Sequence, residues 1–140
     1  MAQTDTRDTV QSENLRDSEM MRHLLDALEA RKDIGHYGRL VFVMVARHFM
    51  DEDKMAGLLA KQPDVSEEDA RELIVQVKGH DYNPPKRDKI LAWQKEQDFP
   101  IIPNPEDPDS GNVYRELKFP DHIYENIGEY WEDKAEAQDR

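Results

Sequence analysis

A chain of 140 residues with 31 acids against 19 bases, and so a net charge of −12, has room for one domain with a modest core. Its overall sign argues against a general nucleic-acid coat protein, but leaves room for a small local phosphate site. Because cysteine is absent, disulfides, thiolate zinc sites and iron–sulfur clusters are all excluded.

The acid is unevenly spread. Residues 1–33 hold 8 acids and 5 bases, residues 34–100 hold 12 and 10, and residues 101–140 hold 11 and 4. Such a surface suits either a salty cytoplasm or a basic partner. In chain order, residues 1–16 are polar and offer only Val10 and Leu15 as sizeable apolar groups after Met1, which predicts a disordered N-terminal arm. The arm has no apolar core of a secretory signal. The longest apolar run, Leu40 to Ala46, is too short to span a membrane. The expectation is a cytoplasmic protein with no membrane partner.

A first helix is expected from Asp17 or Ser18, either a good N-cap, burying Met21, Leu24, Leu25 and Leu28 and stopping near Lys32. A Gly-His-Tyr-Gly-Arg turn, Gly35 to Arg39, follows. The next stretch, Gly38 to Met50, is apolar nearly all round. Periodicity alone would admit a strand there, but length and the Ala-Arg-His-Phe-Met ending favour a central helix. Asp51 caps a third helix through Met55, Leu58 and Leu59 to Lys61. Ser66-Glu67-Glu68-Asp69 is a capping-box pattern opening a fourth, which turns Ala70, Leu73, Ile74 and Val77 inward and ends at Gly79. Asn83 is expected to cap a fifth helix with Pro84 and Pro85 in its first positions and Ile90, Leu91 and Trp93 buried.

Beyond Phe99 the segment PIIPNPEDPDSGN carries four prolines and cannot be regular; it reads as an ordered loop or a linker. VYRELKF alternates well enough for a short strand, and Pro120 or Asp121 opens a last helix through Ile123, Ile127, Tyr130 and Trp131. The predicted fold class is all-α: a compact helical bundle over residues 17–98, with residues 99–140 forming the Pro-rich acidic loop, a short strand or turn, and a C-terminal helix packed on it.

The sequence has no GxxxxGK[ST], HExxH, GxSxG or dinucleotide fingerprint. His23, His36, His48, His80 and His122 show no paired metal-ligand spacing, and His48 reads as a packed core histidine. PEDPDSGN resembles a calcium loop, but its glycine is misplaced and Lys118 stands where the closing acid belongs. The segment most suggestive of chemistry is the His36–Arg39 turn. A helix starting there offers free N–H groups, and Arg39 adds a guanidinium, a combination suited to phosphate. A second cluster, Lys86, Arg87 and Lys89, with Lys95 farther on, follows Tyr82-Asn83-Pro84-Pro85. It is either a solvated face or a strand-binding surface with Tyr82 as a platform for a base or sugar.

The order of these pieces resembles the C-terminal domain of the large subunit of archaeal and eukaryotic DNA primases. The likeness covers about residues 18–97, and its most specific parts are His36-Tyr37-Gly38-Arg39 and Tyr82-Asn83-Pro84-Pro85. The family's cluster cysteines would fall near Met20, Arg87 and Glu96, so its four-iron cluster cannot form here. The resemblance implies that His36 and Arg39 contact the template–primer junction and the 5′-triphosphate of the first nucleotide, with Tyr82 carried over as the loop tyrosine. The family's tyrosine and histidine on the fourth helix are Glu72 and Gln76 in this chain.

The implied function is a non-catalytic accessory domain of a primase, without an iron–sulfur or metal cofactor. It would bind single-stranded template DNA and the initiating ATP or GTP for a separate catalytic subunit. The expected nucleotide and DNA site is one cleft made by His36, Arg39, Tyr82, Lys86, Arg87 and Lys89. The alternative is an acidic helical adaptor that kept the scaffold and works only through protein contacts. An enzyme acting alone is disfavoured, because no compact carboxylate pair is visible to hold magnesium.

Overall fold

An apolar run with no polar face can only be buried on every side, and that requirement sets the architecture. In the computed structural model, which describes residues 15–120 and Ile123, the run Leu40–Ala46 lies in a helix at the centre of the fold. Six helices occur among the described residues, with no strand: α1 (Glu19–Glu29), α2 (Gly35–Ala46), α3 (Glu52–Leu59), α4 (Glu67–His80), α5 (Arg87–Gln94) and α6 (Val113–Glu116). The all-α class is as expected. α2 packs against α1, α3, α4 and α5, and α3 lies along α4. Within α2, Gly38 and Val41 through Ala46 are all buried. Surrounded by helices, its β-branched residues pack as helix, whatever their intrinsic strand preference.

Local chemistry starts three of these helices where the sequence places it. The Ser18 hydroxyl accepts the Met21 N–H at 3.2 Å, and the Asp51 carboxylate accepts the Lys54 N–H at 2.8 Å. Ser66 and Asp69 form a reciprocal capping box. α3 and α4 are further tied by Arg71, whose guanidinium reaches Glu52, Asp53 and Glu67 within 3.1 Å.

Four expectations are corrected. α2 begins at Gly35 rather than Gly38, so His36 to Arg39 form its first turns instead of preceding it. α5 begins at Arg87 with Lys86 as N-cap, after both prolines. A residue preceding proline is driven out of the helical region, so Pro84 cannot serve as a first helical residue before Pro85 and the helix waits until both have passed. VYRELKF forms the short helix α6 with Leu117 extended after it. Among the described residues no strand lies beside it to pair with, and Val113, Leu117 and Phe119 are buried while Arg115 is exposed. Finally, Leu15 and Arg16 are not part of a loose arm. Leu15 is fully buried and Arg16 pairs with Asp26 at 2.9 Å and Glu29 at 3.5 Å. The rest of the predicted arm and nearly all of the predicted C-terminal helix lie outside the described residues.

The core reaches past residue 98. Ile101, Ile102, Val113, Leu117, Phe119 and Ile123 all join it, so the Pro-rich segment is a packed covering, not a linker. Arg87 holds it down by donating to the carbonyls of Ser110 at 2.9 Å, Pro105 at 2.6 Å and Asp107 at 3.2 Å. Tyr114 donates its hydroxyl proton to the Pro84 carbonyl. One guanidinium thus braces three backbone carbonyls. Met20 is fully buried in the core.

Candidate functional site

Helical spacing builds one cavity from three faces. His36, Leu40 and Met44 recur every four residues along α2, Leu73, Gln76 and Val77 stand at i, i+3 and i+4 on α4, and Lys89 and Trp93 are four apart on α5. The loop Tyr82–Pro85 closes the fourth side, leaving a cavity of about 400 Å³. Its walls are largely apolar and aromatic, and the polar tips are His36, Gln76, Asn83 and Lys89. Such a volume and lining suit a small flat ligand held by a few convergent polar groups.

Each aromatic has a ring neighbour. Trp93 stacks on Tyr37 with ring centroids 5.6 Å apart and planes 13° from parallel. The Lys89 ammonium lies 5.5 Å from the Trp93 ring centre, which fixes a cation beside the cavity. Tyr82 stacks on His80 at 5.1 Å and remains 41% exposed, so its ring is open to a further partner.

Of the six residues expected to share a cleft, His36, Tyr82 and Lys89 meet at this cavity. The other three lie elsewhere. Arg39 faces a neighbouring cavity of about 270 Å³ that it shares with Asp69 and Glu72. Its guanidinium contacts Asp33 at 3.2 Å and the Gln62 side-chain oxygen at 3.3 Å. That acidic setting disfavours a phosphate. Lys86, the N-cap residue of α5, has a buried ammonium and does not line the cavity. Arg87 is committed to the Pro-rich segment, as described above. The six residues expected in one cleft are therefore divided, and of the four cations among them Lys89 alone lines this cavity.

The head of α2 also departs from expectation. The Gly35 N–H is accepted by Asp33 at 2.9 Å, and the Tyr37 N–H by the Gln97 side-chain oxygen at 2.9 Å. The Gln97 amide in turn donates to the Ile34 carbonyl at 2.8 Å and that of Phe99 at 3.1 Å. Gln62, only 3% exposed, accepts the Ile34 N–H at 2.9 Å and donates to the Lys32 carbonyl at 2.6 Å. The helix end that would attract an anion is thus already capped by side chains from distant parts of the chain. Gly35 has a φ of +77°, and a Cβ there would sit 2.4 Å from the Gln97 side chain, so its glycine is needed both for conformation and for room.

Sequence reasoning overlooked Leu40, Met44, Gln76, Asn83 and Trp93. A recurring half-apolar spacing of four, as in His36–Leu40–Met44 and Lys89–Trp93, is the signal that could have found them. For the clamps Gln62 and Gln97 there was none, since their partners lie 28 and 60 residues away. Among the described residues, no group of three or more His, Asp or Glu side chains is placed to hold a metal, and no helix is long and apolar enough to cross a membrane. The chain matches no protein-family model, no curated protein and no solved structure with which it was compared.

Proposed function

We propose that this chain is a non-catalytic accessory module of a DNA primase. In this reading it holds a base of single-stranded template DNA, or the base of the initiating ATP or GTP, in the α2–α4–α5 cavity while a separate catalytic subunit makes the primer. The observation that carries the reading is the cavity itself, with Tyr82 and Trp93 in its wall and the Lys89 ammonium beside them. Aromatic faces with a nearby cation are what recognise unpaired bases in a sequence-tolerant way. The resemblance of His36-Tyr37-Gly38-Arg39 and Tyr82-Asn83-Pro84-Pro85 to the primase large subunit adds support, since both segments contribute to this wall.

The test is an anisotropy titration of a labelled oligothymidylate at low salt, with ATP titrated separately. Binding is expected, and Tyr82→Ala and Lys89→Ala should each weaken it. Arg39→Ala and Arg87→Ala should instead lower the melting temperature and leave affinity per folded molecule unchanged. If the wild type binds neither ligand, the primase reading is overturned and the adaptor reading takes its place.

A further inference from the structure

The wall residue Tyr82 belongs to a loop, and a loop ring makes a reliable stacking surface only if its backbone is held. We infer that Arg47, just past the end of α2, is the residue that positions it. This inference rests on the reading of the cavity as a base-binding site.

The Arg47 side chain is only 11% exposed. A charged group so covered needs partners. It has two, both at the turn that follows α4. Its Nη2 donates to the Asp81 carboxylate at 2.7 Å and to the Tyr82 carbonyl at 3.1 Å. Asp81 is the left-handed C-cap of α4, with φ at +50°, so the chain reverses there and delivers Tyr82 to the cavity. Other support for Tyr82 is slight. Its N–H reaches the Val77 carbonyl at a long 3.5 Å, and its ring leans on exposed His80. One guanidinium that joins side chain and main chain of consecutive residues fixes the direction in which the loop leaves the helix.

Asp81 itself is 69% exposed, so as an isolated ion pair the contact contributes little to stability. Its value lies in geometry. Arg47 does not itself line the cavity, so it acts through Tyr82 and is a positioning residue.

A double-mutant cycle on the full chain tests this. Oligothymidylate affinity is measured for wild type, Arg47→Ala, Tyr82→Ala and the double variant, at a temperature where melting curves show all four folded. Each single change is expected to weaken binding roughly 5- to 100-fold, the range for losing one base–aromatic stack. The double variant should be no weaker than Tyr82→Ala alone, because both changes remove the same interaction. Arg47→Lys, which keeps the charge but not the fork, should restore part of the affinity. If Arg47→Ala does not fold, Asp81→Ala enters the same cycle with the same non-additive outcome expected.

In parallel, the backbone amide of Tyr82 is followed by NMR relaxation without ligand. It should be ordered in the wild type and lose order in Arg47→Ala. Losses that add, or a Tyr82 amide equally ordered in both proteins, would overturn the role of Arg47 even where DNA binds. A wild type that binds no DNA while Arg47→Ala still frees Tyr82 would instead overturn the base-binding reading and leave the positioning role standing.

Discussion

Three polar side chains far apart in sequence, Asp33, Gln62 and Gln97, do for α2 what a Ser or Asp N-cap does for α1, α3 and α4. Each accepts a backbone N–H at the head of the helix, and the one that Gln62 accepts, from Ile34, is buried. Gln62→Ala should therefore cost about 1–3 kcal/mol in a denaturant melt, the penalty for leaving buried backbone groups without partners. Gly35→Ala should cost more than about 1 kcal/mol, because the new methyl meets both an unfavourable φ and the Gln97 amide. Gln97→Ala in the Gly35→Ala background should then add little, since the clamp is already displaced.

A second polar node lies where α6 meets the start of α1. The Glu116 carboxylate accepts the Glu19 N–H at 3.3 Å, and Asn104 donates to the Glu19 carboxylate at 2.5 Å. Burial raises the Glu116 pKa above its ordinary value. The Glu19 N–H works against this, while the negative charges of Glu19, Asp107 and Asp109 add to it. An acid with a raised folded-state pKa is destabilising when ionised, so the cost is present at neutral pH. It is relieved as pH falls through the raised value. Glu116→Gln keeps the acceptor and removes the charge. The variant should melt higher than wild type at neutral pH, with the gap closing on acidification; a gap that widens toward low pH would contradict this.

At the scale of elements, caps written in adjacent residues were legible and turns written across the fold were not. Ser18, Asp51 and Ser66–Asp69 cap α1, α3 and α4 with their own neighbours, so sequence spacing locates those starts. The start of α5 depends on the proline rule rather than on the cap preference of Asn83, and that steric constraint wins because it forbids a conformation outright. VYRELKF has no neighbouring strand among the described residues, a circumstance that a single segment cannot reveal. α6 and the Pro84 turn are linked by the Tyr114 hydroxyl, whose pKa is raised by burial. Tyr114→Phe removes this one hydrogen bond and keeps the ring, and should cost about 1 kcal/mol of stability. It should also leave oligothymidylate affinity within twofold of wild type, since Tyr114 does not line the cavity.

Over the whole molecule the dominant quantity is the charge of −12. Self-repulsion at that value is long-ranged at low ionic strength and is screened as the Debye length falls from about 10 Å at 0.1 M salt to about 3 Å at 1 M. The melting temperature should rise across that range, and a fall would mean that ion pairs such as those of Arg71 outweigh the repulsion. The same picture limits DNA binding. With Lys89 the only lysine or arginine lining the cavity among the described residues, the log–log salt slope for a single strand should be about −0.7, far shallower than a multi-phosphate groove would give.

Composition and short-range pattern determined the all-α class, the central burial of α2, three of the helix starts and the impossibility of a thiolate-bound cluster. Each depends on residues within a few positions of one another, or on a residue type that is absent. The sequence also pointed to His36, Tyr82 and Lys89, because motifs keep chemistry-bearing residues next to identifiable turns. Tertiary structure alone decided that Arg39 pairs with Asp33 and Gln62, that Arg87 braces the Pro-rich segment, and that Arg47 reaches the Tyr82 loop. A guanidinium finds its partner through space, and every acid and carbonyl in the chain competes for it. In a chain with so many more acids than bases, that competition left two of the predicted site cations serving the fold and one serving the cavity.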